Sequence, residues 1–178
     1  MKGRKILLGV TGSVAAYKAP DVARRLLDAG AEVRAVLTAG GQKFIPALTL
    51  AAVTGRPAAV DAFDLSDGGM PHLDLAHWAD AVLVAPASAN ALSRFAAGSA
   101  GDLLSAILLA TRAPVFLAPA MHEPMWTHPA TRRNIALLTA DGRRFLGPVD
   151  GALASGDRGA GRMMEPADLV RELGKALS

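Results

Sequence analysis

The run Met70-Pro71-His72-Leu73-Asp74-Leu75-Ala76-His77-Trp78-Ala79-Asp80 holds two of the four histidines in this 178-residue chain. Imidazole is the side chain best suited to moving protons near neutral pH. Either histidine could act as a base, and either could equally be a satisfied surface or core residue. They stand five positions apart, not the four that align two ligands on one helix face, so no metal site is expected. A second candidate is Gly9-Val10-Thr11-Gly12-Ser13. A strand running through Thr-Gly-Ser into a helix offers free N–H groups and hydroxyls to a phosphate. The segment matches neither G-x-G-x-x-G nor G-x-x-x-x-G-K-[ST], which counts against NAD and ATP. On composition alone it also reads as a plain strand-to-helix turn. Third, Pro119-Ala120-Met121-His122-Glu123-Pro124-Met125-Trp126 sets two Met and a Trp beside a strand end, where they would wall a flat ligand or pack in a core. Last, residues 147–162 combine Gly147, Gly151, Gly156, Gly159 and Gly161 with Asp150, Asp157, Arg158 and Arg162. That is the composition of a mobile flap or of a disordered loop.

The elements that must position these groups follow from hydrophobic period. Short apolar runs at Lys5–Val10, Glu32–Leu37, 81–85 and 115–118 read as buried strands. Helical spacing is found over 16–29, 42–52, 103–111, 131–140 and 166–177. Such alternation predicts an α/β fold, a parallel sheet with helices on both faces. Ligands then bind beyond the carboxyl ends of the strands, here Thr11-Gly12-Ser13-Val14, Thr38-Ala39-Gly40-Gly41, Pro86-Ala87-Ser88-Ala89-Asn90 and Pro119-Ala120-Met121-His122.

Composition narrows the partners. With 19 Lys plus Arg against 16 Asp plus Glu, the net charge is only +3, and the Arg pairs are scattered, so nucleic acid is not expected. A hydrophobic content of 51% with 20% charged residues suits one domain over residues 1–178. The absence of Cys removes disulfides, thiolate metal sites and a thiol nucleophile, and fits a cytoplasmic protein. Residues 103–121 are apolar but interrupted by Arg112, Pro114 and Pro119, so no membrane span is expected. Ile6–Val10 is too short for the apolar core of an export signal.

Five blocks in matching order resemble a known family. They are Gly12-Ser13-Val14-Ala15-Ala16-Tyr17-Lys18, the His72 segment through Asp80, Ala85-Pro86-Ala87-Ser88-Ala89-Asn90, the P-x-M-x-x-x-M-W run from Pro119, and residues 156–163. Together they are similar to the homo-oligomeric flavin-containing cysteine decarboxylases. That family includes phosphopantothenoylcysteine decarboxylases and enzymes acting on the C-terminal cysteine of ribosomal peptides. The resemblance implies FMN, a flavodoxin-like Rossmann fold, and trimers that can assemble into dodecamers, with the flavin at a subunit interface. It implies that Gly12, Ser13, Val14 and Thr38 hold the phosphate and nearby groups, and that Ser88, Ala89 and Asn90 line the flavin. By the same resemblance, His72 is the active-site base, Met121 and His122 face the substrate, and a clamp including Ser155, Gly156, Arg162 and Met163 closes over it.

Departures from the family pattern bear on the substrate. His122 stands where many members have Asn, and Gly101 replaces an acidic residue often found before Asp102. Leu153-Ala154-Ser155-Gly156 lacks the cysteine by which pantothenate-pathway members protonate an enethiolate, and a serine hydroxyl is a far weaker acid. The sequence also ends at Ser178, without the synthetase domain to which those members are often fused. These features favour oxidative decarboxylation of a peptide's C-terminal cysteine to an aminoenethiol. Phosphopantothenoylcysteine decarboxylation is the alternative. An FMN-binding inhibitor subunit of a phosphatase and a flavin prenyltransferase rank below both.

Overall fold

A computed structural model describes residues 1–64, 69–152, 156 and 158–178. The apolar runs become the parallel strands β1 Lys5–Val10, β2 Glu32–Leu37, β3 Ala81–Ala87 and β4 Val115–Pro119, with the short β5 Arg144–Phe145 beyond them. Their order is β2-β1-β3-β4-β5, the flavodoxin-like order, whose switch in direction falls between β1 and β3. The fully apolar β3 and β4 are buried along their whole lengths, whereas the edge strand β2 begins exposed at Glu32, as position in the sheet requires. A separate antiparallel hairpin pairs β6 Val149–Ala152 with β7 Arg158–Arg162.

The helices are α1 Ala19–Asp28, α2 Ala39–Gln42, α3 Ala47–Thr54, α4 Pro71–Trp78, α5 Ala89–Ala96, α6 Leu103–Ala110, α7 Glu123–Thr127, α8 Pro129–Ala140 and α9 Pro166–Ala176. Side chains alternate across the sheet. Ile6, Leu8 and Val10 of β1 face Val22 and Leu26 of α1, Leu50 of α3 and Leu169 of α9. Leu7 faces the opposite layer, with Leu75 of α4, Leu92 of α5, Leu104 of α6 and Leu138 of α8. Each fully buried aliphatic side chain contributes about 1.5–3 kcal/mol, so both layers hold the strand ends firmly.

Prolines account for two differences from the expected elements. The helix expected over 16–29 opens instead as a 3-10 turn, Val14–Lys18, and becomes α-helical only at Ala19. Pro20 lacks an N–H and is accommodated in a first turn. The helix expected over 42–52 is divided into α2 and α3 because Pro46 takes the N-cap of α3 in extended conformation. The glycine-rich stretch expected to be a flap carries the β6–β7 hairpin.

Candidate functional site

Thr11 joins the two strands at the topological switch. Its side chain is buried, its Oγ1 donates to the Pro86 carbonyl at 2.8 Å, and the same oxygen accepts the Ser88 N–H at 2.9 Å. The β1 and β3 ends are thereby held together by a hydroxyl that uses both its donor and its acceptor capacity. Beyond Thr11 the backbone of Gly12 lies against that of Gly40. A Cβ on Gly12 would stand 3.1 Å from Gly40 Cα, and one on Gly40 would stand 3.2 Å from Gly12 Cα. The β1 and β2 connections therefore pack main chain to main chain in a glycine cradle, of which Gly12 faces the cavity, and main-chain N–H groups at such a turn can meet a phosphate. Thr38 supports this cradle from behind. It caps α2 by accepting the Gly41 N–H at 3.1 Å, and its own N–H donates to Val10 O at 3.0 Å.

In front of the cradle opens a cavity of about 640 Å³, within the range of small-molecule sites. Gly12, Ser13 and Val14 form one wall, and Ser88, Ala89 and Asn90 a second. Ser88 is the N-cap of α5 and accepts the Ala91 N–H at 3.3 Å, which fixes the start of that helix. The third wall is Ala120, Met121, His122 and Met125. Its shape is set by the His122 carbonyl, which accepts the N–H groups of Met125 and Trp126 at the start of α7. Trp126 turns away from the cavity, under the Arg132 guanidinium at 5.7 Å from its ring centroid.

The hairpin closes the fourth side with Ala152, Gly161, Arg162 and Met163. It is attached to the β4 end by the Met121 N–H, which donates to Gly161 O at 2.9 Å. Gly161 has φ +128°, a conformation that favours glycine, and a side chain there would run into the Met121 carbonyl. Met163 is 1% exposed, so it anchors the hairpin in the core as well as lining the cavity. Behind this wall Glu165 accepts a hydrogen bond from Lys18 Nζ at 2.9 Å and pairs with Arg162. The Lys18 hydrogen bond holds its carboxyl below the ordinary glutamate range, burial opposes this, and Arg162 lowers it further.

Ten of the expected site residues thus meet at one cavity: Gly12, Ser13, Val14, Ser88, Ala89, Asn90, Met121, His122, Arg162 and Met163. Thr38, His72 and Gly156 do not line it, and Ser155 lies outside the described residues. His72 is half-buried in the first turn of α4. A helix returning between parallel strands starts at their carboxyl edge, so His72 shares the cavity's end of the sheet without reaching its wall. Tyr17 and Lys18 also line the cavity; both lie in the first matching block, which assigned them no role. Phe44, half-exposed on the rim, carries no sequence signal beyond an apolar residue after a Gly-Gly turn. Gly101 leaves space beside Arg94, which pairs with Asp102 at 2.9 Å, while Asp102 caps α6.

The fit to a flavin mononucleotide rests on this donor set. The glycine cradle and the hydroxyls of Ser13 and Ser88 suit a phosphate and a polyol, and Val14, Ala89, Met121 and Met125 suit a flat ring. Comparison with known proteins agrees. A family model described as Flavoprotein matches residues 1–178. The chain is 47% identical over 171 residues to the coenzyme A biosynthesis bifunctional protein CoaBC of Vibrio vulnificus strain YJ016, covering 96% of this chain and 43% of that protein. The Escherichia coli K12 counterpart is 45% identical over 171 residues, covering 96% and 42% respectively. The chain therefore spans less than half the length of these curated relatives. Among solved structures, a cysteine-to-serine mutant of PPC decarboxylase complexed with pantothenoylaminoethenethiol superimposes with a TM-score of 0.86 at 33% identity, covering 98% of this chain and 100% of the other. The FMN-dependent cysteine decarboxylase SpaF gives a TM-score of 0.81 at 33% identity, with 96% and 97% covered.

Proposed function

This chain belongs to the flavoprotein family, and from that premise we propose that it decarboxylates phosphopantothenoylcysteine in the synthesis of coenzyme A. FMN is its cofactor. The observation that carries the choice of substrate is the 47% identity over 96% of the chain to a coenzyme A biosynthesis protein. This reverses the order drawn from sequence alone, where the missing clamp cysteine, His122 and the end of the sequence at Ser178 favoured the peptide substrate.

A cysteine carboxylate resists loss of CO2 because the carbanion left at Cα has no place for its charge. Bound FMN would supply the two-electron oxidation of the substrate's CH2–SH unit to a thioaldehyde, an electron sink one carbon away, and, once CO2 has left, would return the two electrons with a proton to the enethiol, so that the net loss is CO2 alone. The protein's part is to bind, orient and move protons. Met121 and Met125 exclude water from the reacting face, and a His122 ring N–H is able to donate to the substrate's carboxylate or amide. His72 serves as the base for the thiol proton. Because His72 does not line the cavity of its own chain, we read the site as shared between copies in a homotrimer, with His72 of one copy completing the cavity of the next. Phe63 and Met70, which precede His72 in sequence, are exposed at 87% and 59%, and such apolar exposure suits a subunit contact.

A second reading, oxidation of a peptide's C-terminal cysteine, is favoured by Ser155 in the clamp sequence. Mass spectrometry after incubation in air with phosphopantothenoylcysteine and, separately, a cysteine-terminated peptide tests the choice. Phosphopantothenoylcysteine should lose about 44 Da as CO2 while the peptide stays intact; a peptide losing about 46 Da, CO2 plus two hydrogens, with phosphopantothenoylcysteine untouched, would replace this proposal by the second reading.

A further inference from the structure

Lys18 is 8% exposed, and an ammonium so placed needs a carboxylate partner to remain charged. Glu165 provides it, and the same Oε1 also meets Arg162. The two cations come from different parts of the chain, Lys18 from the connection after β1 and Arg162 from the last residue of β7, and both line the cavity. Glu165 itself does not line it. It occupies the N-cap of α9 but makes no side-chain cap hydrogen bond. That position favours Asp, Asn, Ser or Thr, whose short side chains reach the free N–H groups. The longer glutamate is directed instead toward the two cations, so the helix does not explain its residue type and the cation pair does.

We infer that Glu165 is a positioning residue: by gripping Lys18 and Arg162 with one carboxylate oxygen, it fixes the root of the β6–β7 hairpin to the β1 connection and so sets the substrate-facing wall. The inference rests on the decarboxylase reading for its kinetic consequence. Two substitutions separate positioning from helix capping. Glu165→Gln keeps the length and removes the charge, while Glu165→Asp improves the cap but falls one methylene short of the bridge. Both should raise KM for phosphopantothenoylcysteine about tenfold, the loss expected when a charge-assisted contact is broken, with kcat little changed and the yellow FMN complex retained. Glu165→Asp should do so with a smaller loss of thermal stability than Glu165→Gln, because the better cap offsets part of the cost of the unpaired Lys18.

A readout independent of turnover is the stability cycle with Lys18→Met. A buried cation left without its partner costs more than removal of both groups, so the double variant E165Q/K18M should be more stable than E165Q alone. An unchanged KM in both Glu165 variants, or loss of FMN from them, would overturn the assignment, as would a double variant no more stable than E165Q. If the wild-type protein turns over neither cysteine substrate, the decarboxylase reading fails, while the stability cycle still decides whether the bridge exists.

Discussion

His72 and Thr11 show how differently two polar residues near one site contribute. His72 is named by its place in a matching motif and stands off the cavity wall. Replacing it by Asn should lower kcat by about 10²–10⁴, the usual contribution of a positioned acid or base, while flavin absorbance is unchanged; loss of flavin would mean that it belongs to the cofactor site. Thr11 belongs to the segment expected to offer hydroxyls to a phosphate, yet its own hydroxyl is engaged in joining β1 to β3. Thr11→Val keeps the shape, removes the hydroxyl that the Ser88 N–H donates to, and leaves the Pro86 carbonyl with only the longer bond from the main-chain N–H of residue 11. It should cost about 1–3 kcal/mol in urea denaturation and weaken FMN binding, because Ser88 and the cradle would lose their alignment. His72 was legible because its proline-led motif is a sequence pattern. The Thr11 contacts are 75 and 77 residues away along the chain, and nothing local announces them.

At the scale of elements, glycine contacts decide where connections can lie. Gly12→Ala would push a methyl against the Gly40 backbone, and neither main chain can yield without moving a strand end. The expected outcome is loss of FMN occupancy, read as the flavin-to-protein absorbance ratio, with the far-UV circular dichroism retained. Gly161→Ala should act on the other side of the cavity, since the methyl meets the Met121 carbonyl in a backbone conformation that disfavours side chains. It should raise KM for the cysteine substrate and leave FMN bound. The alternating strands were readable because a fully buried parallel strand is a continuous apolar run. Helices α4, α5 and α7 were not called out by period, whereas α6, also 8 residues long, was, because its sequence LLSAILLA is apolar almost throughout. The span 42–52 was read as one helix through Pro46, whereas Pro46 caps α3 in extended conformation and α3 packs with α1 through Leu50.

For the whole molecule, sharing of the site between copies predicts complementation. Co-refolding an inactive His72→Asn chain with an inactive Gly12→Ala chain should restore activity, since random pairing leaves about one site in four with both groups intact; inactivity of the mixed oligomers would place His72 and the cavity within one chain. The Glu165 bridge predicts an acid limb of stability. Its folded-state pKa is depressed, so its contribution is complete above the unfolded glutamate value and is lost as pH falls through the lower, folded one. Denaturation curves should therefore weaken below about pH 4 in the wild-type protein, and less steeply in Glu165→Gln. The sequence by itself determined the layered α/β architecture, because apolar period and β-α alternation are local properties, and it determined the family, because five motifs occur in order. Only the tertiary structure decided that ten motif residues share one cavity while His72 stands apart, and that Glu165 ties two cations from distant segments. Those relations depend on which strand ends the sheet order brings together, and residues as far apart as Lys18 and Glu165 carry no sign in the sequence that they will meet.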